Sequence, residues 1–257
     1  MKLTLVLANQ RSGSTLLCQD IASLGGMGVP SEHFIQVVGK GNDGVVGADR
    51  IRALAALNAP GDVAAVKLMV NYASTVDNHI HDRDQLLSPA EACRSFITWA
   101  RETYDRVNLV VIIRENVIDQ AISRFMAETT GVYHSWDLRN GEAYPDIAEK
   151  LKQERSMWRL IDLCVTLLRE KRTLCDTAAE HSDIGRLFTY ESVVDDLEGT
   201  SEALRSLGVS NGMTPERQTA VRRLKKVVSD ETADKLRTNL ANYLQRELLP
   251  HLSGAGA

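Results

Sequence analysis

The sequence predicts an α/β fold with a mostly parallel central sheet, and three observations carry that reading. Short, mostly apolar runs such as "LTLVLA" (3–8) and "VNLVVII" (107–113) read as strands covered on both faces. Segments of helical periodicity separate them, so the strands are joined by crossovers rather than hairpins. The first run also enters a helix through a small polar loop, "NQRSGS" (9–14), which gives the domain a P-loop-like start. Together these imply a three-layer α/β/α arrangement.

Each element follows from its residues. After the loop, Leu16, Leu17, Ile21 and Leu24 are spaced for one helical face, and "GGMGVP" (25–30) stops that helix. Residues 35–48 are glycine-rich and read as a loop, and 49–57 as a short helix. "DVAAVKLM" (62–69) reads as the second strand. In "SPAE" (88–91), Ser88 caps, Pro89 suits the first turn and Glu91 completes a capping box, which starts a helix running to about Tyr104. Asn116 caps the helix after the third strand, with Ile118, Ala121, Ile122, Phe125 and Met126 on its apolar face. A loop over 130–145, a long helix from Ile147 to about Glu170 and a strand at 185–191 come next. Two or three closing helices follow, one ended by Gly208. Without a linker or repeat, residues 1–257 read as one domain with insertions.

Composition narrows the function classes. The chain is 44% hydrophobic and 25% charged, the profile of an ordinary globular domain. A net charge of −4 argues against a general binder of nucleic acid or anionic membrane. No apolar run is long enough for a membrane span, and the first residues read as a strand rather than a signal peptide. Cys18, Cys93, Cys164 and Cys175 form no CxxC pair, which suits a reduced, cytoplasmic protein.

The chemistry concentrates in the first loop. A strand–loop–helix turn aims backbone N–H groups and the positive helix end at an anion. Gly13 allows close approach, Arg11 offers a fork of donors, and Ser12, Ser14 and Thr15 add hydroxyls. The plainer alternative is a turn in which Ser14 or Thr15 merely caps the helix. The loop lacks the lysine that reaches the β/γ-phosphates in P-loop NTPases, and no strand ends in an aspartate for magnesium. Triphosphate hydrolysis is therefore not expected.

A second cluster follows the third strand. Arg114 sits at a strand end, where α/β sheets bind ligands. Ser123, nine residues on, falls beside Asn116, Gln120 and Ala127 and off the apolar stripe, so the pair suits a second phosphate. A surface ion pair for Arg114 and a solvated Ser123 are the bland alternatives. Lys67, at the end of the second strand, is either a further source of positive charge or a surface lysine.

Three features are discounted. "NHIHDRD" (78–84) sets His79 and His81 beside Asp77, Asp82 and Asp84, and reads as a solvated loop rather than a metal site. "VRRLKKVV" (221–228) reads as a solvated helix face or a segment closing over a nucleotide. "MWRLIDLCVTLL" (157–168) reads as core, with a dimer surface as the alternative.

Two longer stretches, "QRSGSTLLCQDIASLGGMGVPSEHF" (10–34) and "IIRENVIDQAISRFMAETTGVYHS" (112–135), resemble the bacterial trehalose 2-sulfotransferase family. "VKLM" (66–69) and "FTYESVVDD" (188–196) are similar to its further segments, in the same order. The resemblance implies a sulfotransferase-like fold and 3′-phosphoadenosine 5′-phosphosulfate (PAPS) as sulfuryl donor. Adenosine 3′,5′-bisphosphate would be the product, and no metal is needed. It places the 5′-phosphosulfate at Arg11, Ser12, Gly13, Ser14, Thr15 and Leu16, and the 3′-phosphate at Arg114 and Ser123. Glu32 matches the family's proposed base, with His33 the neighbouring candidate, and Arg11 and Lys67 assist the transfer. His33, Phe34, Tyr133 and His134 would face the acceptor, a carbohydrate, glycolipid or other hydroxylated molecule. The resemblance leaves a homodimer open.

The chain departs from the family pattern at Glu115, where proline is usual, at Arg124 and Phe125, at Tyr133, where tryptophan is common, and across 35–48. These departures put trehalose itself in doubt as the acceptor. A nucleotide kinase-like phosphotransferase and a catalytically silent nucleotide-binding protein are the rival readings.

Overall fold

The computed structural model describes residues 1–38, 46–57, 59, 61–133, 154–207, 234, 237–238 and 241–242. The chain packs as two compact units: Met1–Glu115 with Arg169–Thr219, and Asn116–Leu168 with Ala220–Ala257.

The first unit is built on a parallel sheet of strands β1 (Lys2–Ala8), β2 (Val63–Met69), β3 (Arg106–Ile113) and β4 (Gly185–Thr189), in the order β2-β1-β3-β4. Every residue of β1 after Lys2 is buried, as is every residue of β3 after Arg106. Successive side chains point to opposite faces, so both faces of these strands are covered. That is the physical content of the mostly apolar runs, in which Thr4 and Asn108 are buried as well. Strand β1 has β2 on one side and β3 on the other, so the order reverses there and the carboxyl end of β1 is the topological switch point.

Helix α1 (Ser14–Leu24) follows β1 and ends at Gly25. The short helix α2 (Ile35–Val38) and then α3 (Ala48–Ala55) precede β2, so part of the predicted glycine-rich loop is helical. Residues 39–45 lie outside the described residues. Helix α4 (Ala73–His81) follows β2, and α5 (Pro89–Thr103) opens with the capping box expected at Ser88 and Glu91.

Helix α4 overturns the solvated-loop reading over 78–81, whereas 82–84 lie beyond the helix and are exposed. His79 is buried, and Val46 N–H donates to its Nδ1 at 3.4 Å, so Nε2 carries the proton and donates to the Val37 carbonyl at 3.1 Å. Asp77 is also buried and pairs with Arg83 Nε at 3.0 Å and His81 Nε2 at 3.4 Å. One carboxylate facing an arginine and a histidine braces the end of α4.

The second unit pairs α6 (Val117–Thr130) with the first part of α7 (Glu154–Glu180). Asn116 caps α6 by accepting from Asp119 N–H at 3.0 Å. Ala121, Ile122, Phe125 and Met126 pack with Leu160, Ile161, Leu163, Cys164 and Leu167, so the apolar run at 157–168 mostly supplies core. Trp158 falls on the other side of that helix and is exposed, and Leu168 is exposed at the end of the run. Arg159 clamps Glu128 with Nε at 3.2 Å and Nη2 at 2.8 Å. Helix α7 runs ten residues beyond the expected Glu170, and its later part, with Leu174 and Ala178, belongs to the core of the first unit. Its expected start at Ile147 is outside the described residues, as are Gly208 and the basic segment 221–228.

Strand β4 is shorter than expected, because Tyr190 turns into helix α8 (Tyr190–Asp195), and α9 (Leu197–Ser206) follows. No helix of the described residues is long and apolar enough to cross a membrane.

Candidate active site

The first loop takes its shape from two residues in the left-handed region, Arg11 at φ 62° and Gly13 at φ 81°. Arginine seldom adopts that backbone, and such conformations collect where a loop is shaped for a ligand. Ser12 is fully buried and donates to the Asn9 carbonyl at 2.8 Å, so its hydroxyl fastens the loop to itself. Gly13 is the N-cap of α1, and no side chain caps the helix. This corrects the plain-turn alternative: Ser14 and Thr15 are the first helical residues, not caps. The first-turn N–H groups of α1 thus face outward with their partial positive charge. Leu16 has its side chain in the core, which leaves its backbone as the part near the loop.

Gly13 has a second reason to be glycine. A Cβ there would collide with the ring of Tyr190, at the start of α8. The opposite neighbour of that ring is Arg114, whose guanidinium carbon lies 4.7 Å from the ring centroid. Tyr190 therefore bridges the loop after β1 and the arginine after β3. The backbone beside Arg114 is held too. Glu115 N–H donates to Glu191 at 3.0 Å, and Lys171 Nζ donates to the Glu115 carbonyl at 3.4 Å. The proline usual at position 115 in the resembling family could not make the first of these bonds.

The other flank of the loop holds the base candidate. Lys67, in β2, is 6% exposed, which overturns its reading as a surface lysine. Its Nζ lies 2.7 Å from Glu32 Oε1 and donates to Thr15 Oγ1 at 3.3 Å. The loop lacks a lysine of its own, and the neighbouring strand supplies one at the same hydroxyl. Glu32 is brought there by backbone pairing: Ser31 bridges to Val66, and Lys67 N–H donates to the Ser31 carbonyl at 2.9 Å. The chain then coils into α2, with Ile35 N–H donating to the Glu32 carbonyl at 3.2 Å.

The surroundings of this pair are dry on the protein side. Burial pushes the Cys18 thiol up to about 12; the nearby Lys67 charge opposes this and Glu32 adds to it. Burial likewise raises the Tyr72 phenol, and the Glu32 charge adds to the effect.

His33 differs from its neighbour. Burial lowers its pKa, with the Leu57 backbone partly opposing, and its Nε2 is buried, whereas the Glu32 side chain is 32% exposed. Phe34, expected at the acceptor, is instead wholly buried and edge-on to Phe96 at 5.7 Å. It lies in the turn between the Ser31 bridge and α2, where its ring packs into the core.

Ser123 lies on α6 in the second unit, partly buried between Gln120 and Ala127, which are both fully buried. That face of α6 is therefore not the solvated one of the bland alternative. Tyr133 is 43% exposed just after α6, and His134 lies outside the described residues. Among the described residues no group of His, Cys, Asp and Glu is arranged to hold a metal ion. A cleft lined by Arg106, Asn108, Asp183 and Leu207 lies at the amino ends of β3 and β4, the end of the sheet opposite to the loop.

Sequence reasoning missed Tyr190 and undervalued Lys67. The signal for Tyr190 was its place just after a strand, in "FTYE". The signal for Lys67 was a lone cation inside an otherwise apolar strand.

A family model described as Stf0 sulphotransferase matches residues 4–239. Among solved structures, the sulfotransferase domain from the curacin biosynthetic pathway is similar at 13% identity, over 96% of this chain and 91% of that one, with a TM-score of 0.46. No curated protein matches the chain.

Proposed function

Because the chain belongs to the Stf0 sulphotransferase family, we propose that it moves the sulfuryl group of PAPS to a hydroxyl of a carbohydrate, glycolipid or other small acceptor. The observation that carries this reading is the meeting of Glu32, Lys67 and Thr15 at the start of α1. A carboxylate, a buried cation and a phosphate-loop hydroxyl within contact of one another are the parts that sulfuryl transfer needs.

The roles follow from the chemistry of each group. Backbone N–H groups of Gly13, Ser14, Thr15 and Leu16, with Arg11, receive the 5′-phosphosulfate at the helix terminus. Arg114, against the Tyr190 ring, receives the 3′-phosphate, with Ser123 as the second residue assigned to it. Glu32 takes the proton of the acceptor hydroxyl as that oxygen bonds to sulfur. The bond from sulfur to the bridging phosphate oxygen breaks, and its electron pair leaves on the phosphate. The products are a sulfate ester and adenosine 3′,5′-bisphosphate, and Glu32 returns its proton to water. Lys67 and the N–H groups offset the charge that spreads over the sulfuryl and phosphate oxygens, the role metals fill in many phosphoryl transfers. The exposure of Glu32 and the buried Nε2 of His33 favour Glu32 as the base. Tyr133 and His134 are kept as acceptor contacts.

The test is transfer of radiolabelled sulfate from PAPS across a panel of sugars, glycolipids and small alcohols. The expected result is a labelled ester with at least one class. Tight binding of adenosine 3′,5′-bisphosphate with no transfer to any acceptor would favour a silent nucleotide-binding protein instead. Preference for ATP with Mg²⁺ would favour a phosphotransferase.

A further inference from the structure

The Lys67–Glu32 pair poses a problem for the catalytic reading on which this inference rests. A carboxylate whose Oε1 is bonded to an ammonium at 2.7 Å has that oxygen occupied and is not free to face an acceptor hydroxyl. The ammonium, conversely, sits at the amino end of α1, where the helix dipole repels a cation. Lys67 is buried there with three N–H donors and, among the described residues, two partners, Glu32 and Thr15. A lysine so placed is suited to a stronger anion than one partly exposed carboxylate.

We propose that Lys67 exchanges partners during the reaction cycle, holding the Glu32 carboxylate first and the phosphosulfate oxygens of the donor second, so that Glu32 is released as a base only once the donor is seated. The two anions compete for one ammonium. The donor brings several oxygens to a place where α1 already favours negative charge. Glu32 is held by its backbone beside β2, through Ser31, so loss of the ion pair frees its side chain without moving its chain. The consequence is ordered binding, donor before acceptor. A further consequence is protection of the donor site from a premature base.

The test is a double-mutant cycle read by calorimetric titration with PAPS. Glu32→Gln removes Lys67's first partner, so PAPS should bind about fivefold tighter, the scale of a partly exposed ion pair. In a Lys67→Met background the same substitution should give no tightening, because no exchange remains to be made. Equal tightening in both backgrounds would mean simple charge repulsion and would overturn the proposal, as would no tightening in the first. Circular dichroism checks folding, and Lys67→Gln serves if Lys67→Met does not fold. The donor reading fails separately: no binding of PAPS or adenosine 3′,5′-bisphosphate to the unaltered protein removes it, and this inference with it. Binding of both without the Glu32 effect removes only the exchange.

Discussion

Two cations flank the loop after β1, and they are held in opposite ways. Lys67, on the β2 side, is buried and held by charge: it contacts a carboxylate and a hydroxyl. Arg114, on the β3 side, is partly exposed and lies over the Tyr190 ring. Charge pairing makes Lys67 and Glu32 depend on each other, so a change at one alters the chemistry of both. The Tyr190 ring meets the Arg114 guanidinium and also borders Gly13. The β2 corner is thus built on a charge pair, and the β3 corner on a cation–ring contact.

The largest expected effect breaks the β2 corner. Glu32→Gln should lower sulfate transfer at least about 100-fold while nucleotide still binds, the range for a well-placed general base. Turnover within a few-fold of the unaltered protein would remove Glu32 from the mechanism.

At the β3 corner the expected loss is in stability rather than rate. Gly13→Ala imposes a left-handed backbone on a residue with a Cβ and pushes that carbon into the Tyr190 ring. The cost should be about 2–4 kcal/mol in denaturant unfolding, from backbone strain and overpacking together. Pairing it with Tyr190→Ala should recover the packing share, so an unrelieved double variant would show that the ring is not the obstacle.

A smaller effect separates stacking from hydrogen bonding. Tyr190→Leu should weaken adenosine 3′,5′-bisphosphate binding by about fivefold, the worth of a cation–π contact of roughly 1 kcal/mol. Tyr190→Phe should bind as the unaltered protein does. Calorimetry on both variants checks it, and a loss in Tyr190→Phe as large as in Tyr190→Leu would assign the effect to the hydroxyl.

The smallest effect is the pH response beside the base. Burial holds the His33 and His181 pKa values below their ordinary value. The unfolded chain therefore takes up protons first as pH falls, and stability is lost from about 6.5 downward, toward the folded values. Thermal unfolding from pH 7.5 to 5 should show a falling midpoint, and His33→Asn should flatten part of that slope. An unchanged slope would leave His181 and the carboxylates as its source.

Much of the fold was legible because the forces that set it are local. Apolar runs read as buried strands, and Ser88 with Glu91, like Asn116, announced helix starts through bonds spanning only three residues. The misreadings came where local pattern and tertiary burial diverge. His79 and Asp77 look like solvated polar residues, yet α4 turns them inward, where Val37, Val46 and Arg83 satisfy them. Phe34 looks like a pocket aromatic because it neighbours Glu32, yet the turn into α2 spends its ring on Phe96.

By itself, the sequence determined the parallel α/β class and the family, and it singled out the first loop and Glu32 as candidates. Those depend on residue type and short spacing. Only the tertiary structure decided what these residues work with. Lys67 meets Glu32 and Thr15 because parallel register and the Ser31 bridge bring three separate segments to one strand end. Tyr190 meets Gly13 and Arg114 because β1 and β3 lie side by side while β4 delivers α8 next to them. Contacts between residues dozens to more than a hundred positions apart leave no periodicity to read, so the sequence could name Lys67 as a candidate but not its partners.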